Sequence, residues 1–197
     1  MINSCSLSRD FYAVATLTVA EALLGKVLVH SSSEGTVAGT IVETEAYIGQ
    51  DDPACHAATG LTKRNAPMYG PPGKAYIYLN YGVHSLLNAV TEKEGFPAAV
   101  LIRALEPLSG VKLMRRRRIT KNRDVALNDL CRGPGNLTRA LGITLTDNGL
   151  DLTGRRLCIE NRGIVLGAIA HGPRVGIRVG TDRFWRYWID GHPSVSR

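Results

Sequence analysis

Residues 41–47 read Ile-Val-Glu-Thr-Glu-Ala-Tyr, and this short run of apolar and β-branched residues predicts a β-strand. Because side chains alternate between the two faces of a strand, Glu43, Glu45 and Tyr47 are expected to share one face. The same alternation would put Ile41 on that face. Two carboxylates on one face repel each other, and burying either one costs free energy unless it has a partner. The pair therefore faces solvent from an edge strand or lines a site that supplies compensating groups.

The length of 197 residues suits one well-packed domain, and no linker-like stretch or internal repeat predicts a second one. No apolar run approaches the ~20 residues that a membrane-spanning helix needs. The N-terminus has no basic region followed by a long apolar one, so we expect no secretory signal. The four cysteines are far apart and lack CxxC spacing. They favour a protein of a reducing compartment over a zinc site or a disulfide framework.

Charge is distributed unevenly along the chain, which carries a formal net charge of +7 and has a sequence pI near 9.5. Residues 1–100 hold six Lys or Arg against nine Asp or Glu, whereas residues 101–197 hold eighteen against eight. A basic half of this kind favours a polyanionic partner, above all nucleic acid. The alternative is an ordinary surface that happens to be basic.

The first part of the chain predicts a helix followed by a β-hairpin. Thr18 and Glu21 fit a capping box at the start of the helix. Residues 26–30 and 37–47 are strand-like runs separated by a polar turn, a pattern that predicts antiparallel pairing. Residues 49–72 then form a loop, and a loop of this length in a compact domain is usually functional or disordered.

A second hairpin is predicted for residues 75–79 and 83–90, which flank the turn Asn80-Tyr-Gly. Tyr81 lies in that turn. A large aromatic side chain there either packs back on the core or projects as a wedge of the kind inserted between base steps. On the return strand Asn88 interrupts an apolar run, so its amide needs hydrogen-bond partners.

Residues 98–105 form a strongly apolar strand pattern, and Arg103 lies inside it. A guanidinium in such a run is nearly always paired with a carboxylate or a phosphate. Arg103 is therefore expected either to form a structural ion pair with Glu43 or to lie at the floor of a site.

Two helix-like segments in the basic half are candidate phosphate contacts. Ser109 is predicted to cap the first, which ends in the four arginines 115–118, and these serve the helix C-terminus, contact phosphates or form a solvated face. The second follows the glycine-rich turn 131–136 and would end at Gly142. Free backbone N–H groups at such a helix start bind phosphates. The spacing matches no P-loop or dinucleotide fingerprint, so no nucleotide cofactor is predicted.

The segment 155–190 reads as several short strands separated by Gly and Pro. Its Trp and Phe residues are expected in the core. The strand-like runs are 156–160, 164–166, 174–177 and 184–189.

A carboxylate, tyrosines, a histidine, an asparagine and an arginine thus come from neighbouring predicted strands and the loop between them. With no nucleophile or metal motif in the sequence, the carboxylate is the best acid–base group. The aromatic side chains suit a flat ligand stacked face to face. On a polyanion-binding protein that ligand is a nucleobase, and an enzyme that acts on a base in a duplex must flip it into a pocket.

Four segments resemble the alkyladenine (3-methyladenine) DNA glycosylase family, and the match runs in order from near residue 10 to the C-terminus: 41–47, 76–82, 101–107 and 130–137. The resemblance implies a single mixed α/β (α+β) domain over residues 1–197, with a curved, mostly antiparallel β-sheet and surrounding helices. It implies a monofunctional enzyme of base excision repair that releases 3-methyladenine, 7-methylguanine, ethenoadenine and hypoxanthine from double-stranded DNA. No cofactor and no metal are implied. We expect a monomer in the bacterial cytoplasm, associated with the nucleoid and not with a membrane.

The resemblance also implies roles for individual residues. Glu45 matches the general base that activates water for attack on the deoxyribose C1′. Arg103 matches the arginine beside that water and the target phosphate. Glu43 matches no catalytic residue and is expected to be structural, as a candidate partner of Arg103.

The implied base pocket consists of aromatic side chains and one amide. Tyr47 and His56 match the residues that sandwich the flipped base, with Tyr78 closing the pocket. Asn88 matches the residue whose bulk disfavours the exocyclic 2-amino group of guanine. Tyr81 matches the wedge that fills the gap left in the duplex. Further DNA contacts are implied at Thr62, Arg64, Val83, Leu101, Arg115, Arg118, Ile177 and Arg178.

Two other functions stay open from the residues alone. One is a non-catalytic module that binds damaged bases. The other is a metal-dependent nuclease whose acidic residues would be Glu43, Glu45, Asp51 and Asp52. Against the nuclease stands the absence of an ordered Asp/His ligand spacing.

Overall fold

A computed structural model describes residues 5–119, 124–165 and 167–196 of the chain. In these ranges nine strands form one antiparallel sheet: β1 (Cys5–Ser6), β2 (Val27–Ser32), β3 (Gly35–Ile48), β4 (Ala75–Asn80), β5 (His84–Val90), β6 (Ala98–Ser109), β7 (Leu157–Asn161), β8 (Ile169–Gly172) and β9 (Arg186–Ile189). The α-helices are α1 (Arg9–Tyr12), α2 (Thr16–Ala22), α3 (Val111–Arg118) and α4 (Pro134–Leu141). The expected α+β class with a mostly antiparallel sheet is confirmed. No helix in the described ranges is long and apolar enough to cross a bilayer.

Strand β3 is the central strand of the sheet, in which the main strand order is β1-β7-β2-β3-β6-β5-β4. One edge of β3 pairs with β6 over residues 38–48. Its other edge pairs first with β2 and then, at residues 43–45, with β9. A strand paired on both edges is not an edge strand, so the solvent-facing alternative for the two carboxylates is wrong. The two predicted hairpins, β2–β3 and β4–β5, are confirmed.

Two register shifts lie at the centre of the β3–β6 pair. The register runs Ile41–Leu105, Glu43–Ala104 and Thr44–Ile102, so Val42 and Arg103 are each skipped. An extra residue in a strand reverses the faces that follow it. Ile41 accordingly packs in the main core together with Ala46, whereas Glu43 contacts Arg103 outside that core. The prediction that Ile41 shares the face of the carboxylates is therefore wrong, because regular alternation stops at the bulge.

Helix α2 begins two residues before the predicted capping box. Its first residue is Thr16, whose N–H and hydroxyl both donate to Glu92 Oε1, at 2.7 and 2.8 Å. Glu92 lies in the turn between β5 and β6 and has a positive φ of 64°. The cap is supplied by a carboxylate distant in sequence, so the local pattern of Thr18 and Glu21 pointed to the wrong start.

The two helices of the basic half follow the sequence prediction more closely. Helix α3 ends at the fourth arginine, but Gly110, with φ of 71°, stands at its N-cap position. The predicted cap Ser109 is wrong, because this residue is the last of β6. A side chain at Gly110 would come within 2.6 Å of the Thr36 carbonyl oxygen. Helix α4 ends where expected, because Gly142 takes the left-handed conformation that commonly closes a helix.

The C-terminal part departs from the predicted strands. Strand β7 matches the run 156–160, but Ile164 and Val165 lie outside any strand and residue 166 lies outside the described residues. The run 174–177 is a loop and not a strand. Strand β8 was not predicted, since its sequence Ile-Ala-His-Gly has no clear alternation. Phe184 is 55% exposed, which corrects the expectation that all aromatic residues here are core.

Four separate clusters of buried side chains lie in the described ranges, and two of them position the site. The main core packs helices α2, α3 and α4 against the sheet. A smaller cluster lies under the loop 49–72 and includes Cys55, Met68 and Tyr76, with Tyr47 and Tyr78 packed on it. Two 3₁₀ turns, His56–Thr59 and Ala66–Tyr69, give this loop its order. The small cluster therefore presents aromatic side chains from β3, β4 and the loop at one place.

The β4–β5 turn holds Tyr81 in a left-handed backbone conformation. Tyr81 has φ of 51° and Gly82 has φ of 70°, and the N–H of Val83 donates to the carbonyl of Asn80 at 3.1 Å. Two consecutive positive φ values define a type I′ turn, which prefers Asn and Gly. The Tyr81 side chain is 91% exposed, so it does not pack back on the core.

We predict that Tyr81→Asn stabilises the protein by about 1 kcal/mol, because Asn tolerates the left-handed conformation better than Tyr does. No packing is lost, since the tyrosine ring is exposed. Urea unfolding should show a higher midpoint with an unchanged slope. A lower midpoint would show that the Tyr81 ring makes stabilising contacts.

Candidate active site

A cavity of about 350 Å³ opens where the small aromatic cluster meets β5, β6 and the loop before β9. Its volume lies within the range of small-molecule pockets. The sequence nominated eight of its lining residues: Tyr47, His56, Tyr78, Tyr81, Asn88, Leu101, Arg103 and Ile177. Strand pairing explains this convergence, because Asn88 stands opposite both Tyr76 on β4 and Leu101 on β6.

Glu45 is fully buried next to this cavity. Its Oε1 accepts from the backbone N–H of Val175 at 2.7 Å, and its Oε2 accepts from the Tyr47 hydroxyl at 2.9 Å. Arg103 Nη1 lies 3.3 Å from Oε2. Burial raises the pKa of Glu45 above its ordinary value, and Arg103 and the two other donors only partly offset this rise. The site thus holds a carboxylate whose basicity is increased by burial.

Arg103 has a protein partner on each of its three nitrogens. Nε donates to Glu43 Oε1 at 2.8 Å, Nη1 points to Glu45, and Nη2 donates to Ser196 Oγ at 3.0 Å. Both sequence alternatives for Arg103 therefore apply, since it pairs with Glu43 and also lines the cavity. Burial lowers the pKa of Arg103, but Glu45 and Glu43 raise it by more, so the guanidinium keeps its charge.

Tyr76, Tyr78 and His56 form one wall of the cavity. His56 Nδ1 is 2.8 Å from the Tyr76 hydroxyl, and the His56 and Tyr78 ring centroids are 4.4 Å apart. Burial and, to a smaller extent, Arg64 lower the pKa of His56, which favours the neutral ring. Asn88 donates to the Tyr76 carbonyl at 3.0 Å, and this bond fixes the amide against the cavity.

Tyr47 is supported by a buried ion pair that the sequence patterns did not predict. The Arg174 guanidinium lies 4.7 Å from the Tyr47 ring centroid and donates to both carboxylate oxygens of Asp52, at 2.5 and 2.7 Å. Both side chains of this pair are 0% exposed. Arg174 also donates to the Ala46 carbonyl at 2.9 Å. Arg174 thus ties the loop before β9 both to β3 and to the loop that follows β3, next to the Val175 N–H that donates to Glu45.

Comparison with known proteins identifies the family. A protein of Prosthecochloris aestuarii is 49% identical over 191 residues, which cover 96% of this chain and 90% of that protein. One of Methanocella arvoryzae is 46% identical over 196 residues, covering 97% of this chain and 96% of that protein. Both are provisionally named 3-methyladenine DNA glycosylase. The family model described as methylpurine-DNA glycosylase matches residues 10–193.

The chain belongs to the methylpurine-DNA glycosylase family. The sequence resemblance is thereby confirmed, and with it the class of activity. The protein is a DNA glycosylase, a hydrolase that acts on N-glycosyl bonds.

Several residues nominated as DNA contacts of this glycosylase surround the cavity mouth. Arg64 lies 5.3 Å from the Tyr78 ring centroid and donates to the Leu79 carbonyl at 3.1 Å. Val83 is 71% exposed beside the Tyr81 turn. Arg178 is exposed next to the cavity-lining Ile177.

Two further nominated residues of the glycosylase have structural roles near the cavity. The Thr62 hydroxyl accepts from the Asn65 N–H at 3.3 Å, which orders the turn next to His56. Leu101 is buried, so any contact it makes with a ligand occurs inside the cavity. Contact of these residues with DNA stays a prediction.

The structure does not bring the arginines of α3 to the cavity lining of the glycosylase. Arg115 Nη1 donates to Asp124 at 2.8 Å and to the Val125 carbonyl at 2.7 Å. Arg118 Nε donates to the Leu130 carbonyl at 3.1 Å. These bonds account for part of the arginine run, and its contact with phosphates stays a prediction.

We predict that Asp52→Asn destabilises the glycosylase by about 3–5 kcal/mol, because it leaves the buried Arg174 guanidinium without its charge partner. Asp51→Asn is the matched control, since Asp51 is the adjacent residue and is exposed. Urea unfolding of both variants measures the difference. A loss below about 1 kcal/mol for Asp52→Asn would mean that the ion pair contributes no more than a surface pair does.

Proposed function

We propose that this glycosylase flips damaged purines out of double-stranded DNA and hydrolyses their N-glycosidic bond with a water activated by Glu45. The observation that carries the proposal is the fully buried Glu45 carboxylate beside an aromatic cavity, 3.3 Å from the Arg103 guanidinium. The proposed substrates are 3-methyladenine, 7-methylguanine, ethenoadenine and hypoxanthine. The names of the relatives support the first of these.

The chemistry of the reaction suits these groups. Breaking the N-glycosidic bond builds positive charge on the deoxyribose, as in glycoside hydrolysis, and a nearby carboxylate stabilises that charge. Ionised Glu45 also takes the proton of the attacking water at its carboxylate. Arg103 favours the ionised form of Glu45, which partly offsets the effect of burial on its pKa, and orients the carboxylate. No metal or cofactor enters this scheme.

The cavity walls supply binding energy for a flipped base. Tyr47 and His56 sandwich the base in this proposal, and Tyr78 closes the pocket. A purine methylated at N3 or N7 is cationic, and stacking it on a tyrosine contributes roughly 0.5–2 kcal/mol by cation–π attraction. Asn88 excludes the 2-amino group of guanine by its bulk. The exposed Tyr81 fills the gap that the base leaves in the duplex.

The proposal also includes the binding partner of the protein and its location in the cell. The excess of Lys and Arg in residues 101–197 supports binding to the duplex backbone. We propose that the protein acts as a single-domain monomer on DNA of the nucleoid, in the cytoplasm.

Glu45→Gln is the variant that tests the assigned base. The amide that replaces the carboxylate cannot accept a proton, so single-turnover release of hypoxanthine or ethenoadenine from a duplex should fall at least about 100-fold. Binding of the same duplex should stay within a few-fold of the unaltered protein. Glu94→Gln, an exposed carboxylate in the β5–β6 turn, is the control and should keep full activity.

Other outcomes of this experiment separate the rival functions. Base release by the Glu45→Gln protein within a few-fold of normal would mean that another group is the base. Tight lesion binding with no release by the unaltered protein would favour the non-catalytic module. Strand scission that EDTA abolishes would favour the nuclease.

The pH dependence of base release follows from the raised pKa of Glu45. The ionised form is the base, so activity falls as the pH drops through that pKa, which lies above the ordinary value of a glutamate. Tyr47→Phe removes a donor that lowers this pKa, so the acidic limb of its rate profile should move to higher pH. Single-turnover rates of both proteins are measured on the same lesion between pH 4 and 8. Titration of the lesion affects both rate profiles equally, so the difference between the profiles reports on the protein. Coincident limbs would contradict the role of Glu45.

A further inference from the structure

The C-terminal segment of the described chain returns to the active site. After β9, Val195 packs with Val42, Ala104 and Ile189 in a small buried cluster. The Pro193 carbonyl accepts a hydrogen bond from Arg132, and the Val195 N–H donates to the His192 carbonyl at 3.2 Å. These contacts hold the segment against β3 and β6. Ser196 is consequently only 8% exposed.

Ser196 contacts the charged groups behind Glu45 through all of its polar atoms. Its N–H donates to Glu43 Oε2 at 2.7 Å, and its hydroxyl donates to Glu43 Oε1 at 2.8 Å. The same hydroxyl oxygen accepts from Arg103 Nη2 at 3.0 Å. The Ser196 carbonyl accepts from Arg186 Nη2 at 2.8 Å. One serine thus bridges the carboxylate and two guanidinium groups.

Glu43 is the common acceptor of this assembly. Arg103 Nε and Arg186 Nε donate to its Oε1 at 2.8 and 2.7 Å, in addition to the two donors of Ser196. Four hydrogen bonds match the number of lone-pair sites on a carboxylate. Glu43 is therefore suited to hold Arg103, and its partner carboxylate Glu45 is left for chemistry.

We propose that Ser196 is a positioning residue that sets the orientation of Arg103 toward Glu45, so that the C-terminal segment is part of the active-site apparatus. The inference rests on the proposed function. A guanidinium is planar, so holding Nε on Glu43 and Nη2 on Ser196 fixes its plane and aims Nη1. The Nη1 contact with Glu45 is the longest of the three, at 3.3 Å, and depends most on that aim.

Loss of the Ser196 hydroxyl has a consequence at Glu45 that a purely structural role would lack. The groups that act on Glu45 are Arg103 from β6, the Tyr47 hydroxyl and Glu43 from β3, and the Val175 N–H from the loop before β9. Arg103 opposes the effect of burial more than the other groups do. When Arg103 turns away, the pKa of Glu45 rises further, and the acidic limb of the rate profile moves to higher pH.

Ser196→Ala and Ser194→Ala form a matched pair for the test. Both serines lie in the same segment and are buried, but the Ser194 hydroxyl has no hydrogen-bond partner among the described residues. Single-turnover base release is measured against pH for both variants, together with the urea unfolding midpoint. We expect Ser196→Ala to lose roughly tenfold or more in rate, the size of one hydrogen bond to a charged group. Its acidic limb should move to higher pH, and Ser196→Thr should restore both quantities. Ser194→Ala should change neither.

Two results would overturn the inference. Equal rates and limbs for the two alanine variants would show that Ser196 does not orient Arg103. A lower rate for Ser196→Ala with an unmoved limb and a lower unfolding midpoint would show a structural role only. Absence of base release by the unaltered protein would instead reject the proposed function, and this inference with it.

Discussion

Two fully buried carboxylates on one strand impose the strongest constraint on this structure. Glu43 and Glu45 are both 0% exposed, and uncompensated burial of either one would cost several kcal/mol. Compensation comes from side chains of β6 and β9 and from backbone groups of later segments. The two carboxylates differ in what they receive. Each carboxylate has two neutral donors, but Glu43 has two guanidinium donors at 2.7–2.8 Å, whereas Glu45 has one guanidinium at 3.3 Å. This electrostatic difference is the reason for proposing Glu45, and not Glu43, as the reactive carboxylate.

Several features of the site lower the stability of the folded protein. Glu45 is buried although its pKa shows that the ionised form is disfavoured there, and Tyr81 occupies a backbone conformation better suited to Asn or Gly. Arg174 is charged and fully buried, which is tolerable only with Asp52 beside it. Features of this kind persist where function needs them, and the surrounding sheet supplies the compensating stability.

Local rules of sequence were enough for the hairpins and for the Gly142 helix end, which depend on period-2 alternation and turn chemistry. The set of side chains that share the cavity came from the family resemblance. The failures share another cause. The start of α2 depends on Glu92, the loop at 174–177 depends on Asp52, and the support of Arg103 depends on Ser196. In each case the deciding partner is distant in sequence, and alternation in one strand carries no information about it. The hydrogen bond from Val175 to Glu45 comes from a backbone N–H, which every residue except proline carries, so the residue type at position 175 could not predict it.

The bond between Glu43 and Ser196 joins positions 153 residues apart. Arg103 and Arg186 reach Glu43 over separations of 60 and 143 residues. Contacts with such separations form late, because loop closure must precede them. During synthesis β3 leaves the ribosome long before Arg186 and Ser196, so Glu43 lacks these partners until the C-terminal segment has been made. Under the proposed role of Ser196, a chain cut before this residue would fold its hairpins yet lack an oriented Arg103, so competence for base release would depend on completion of the C-terminal segment.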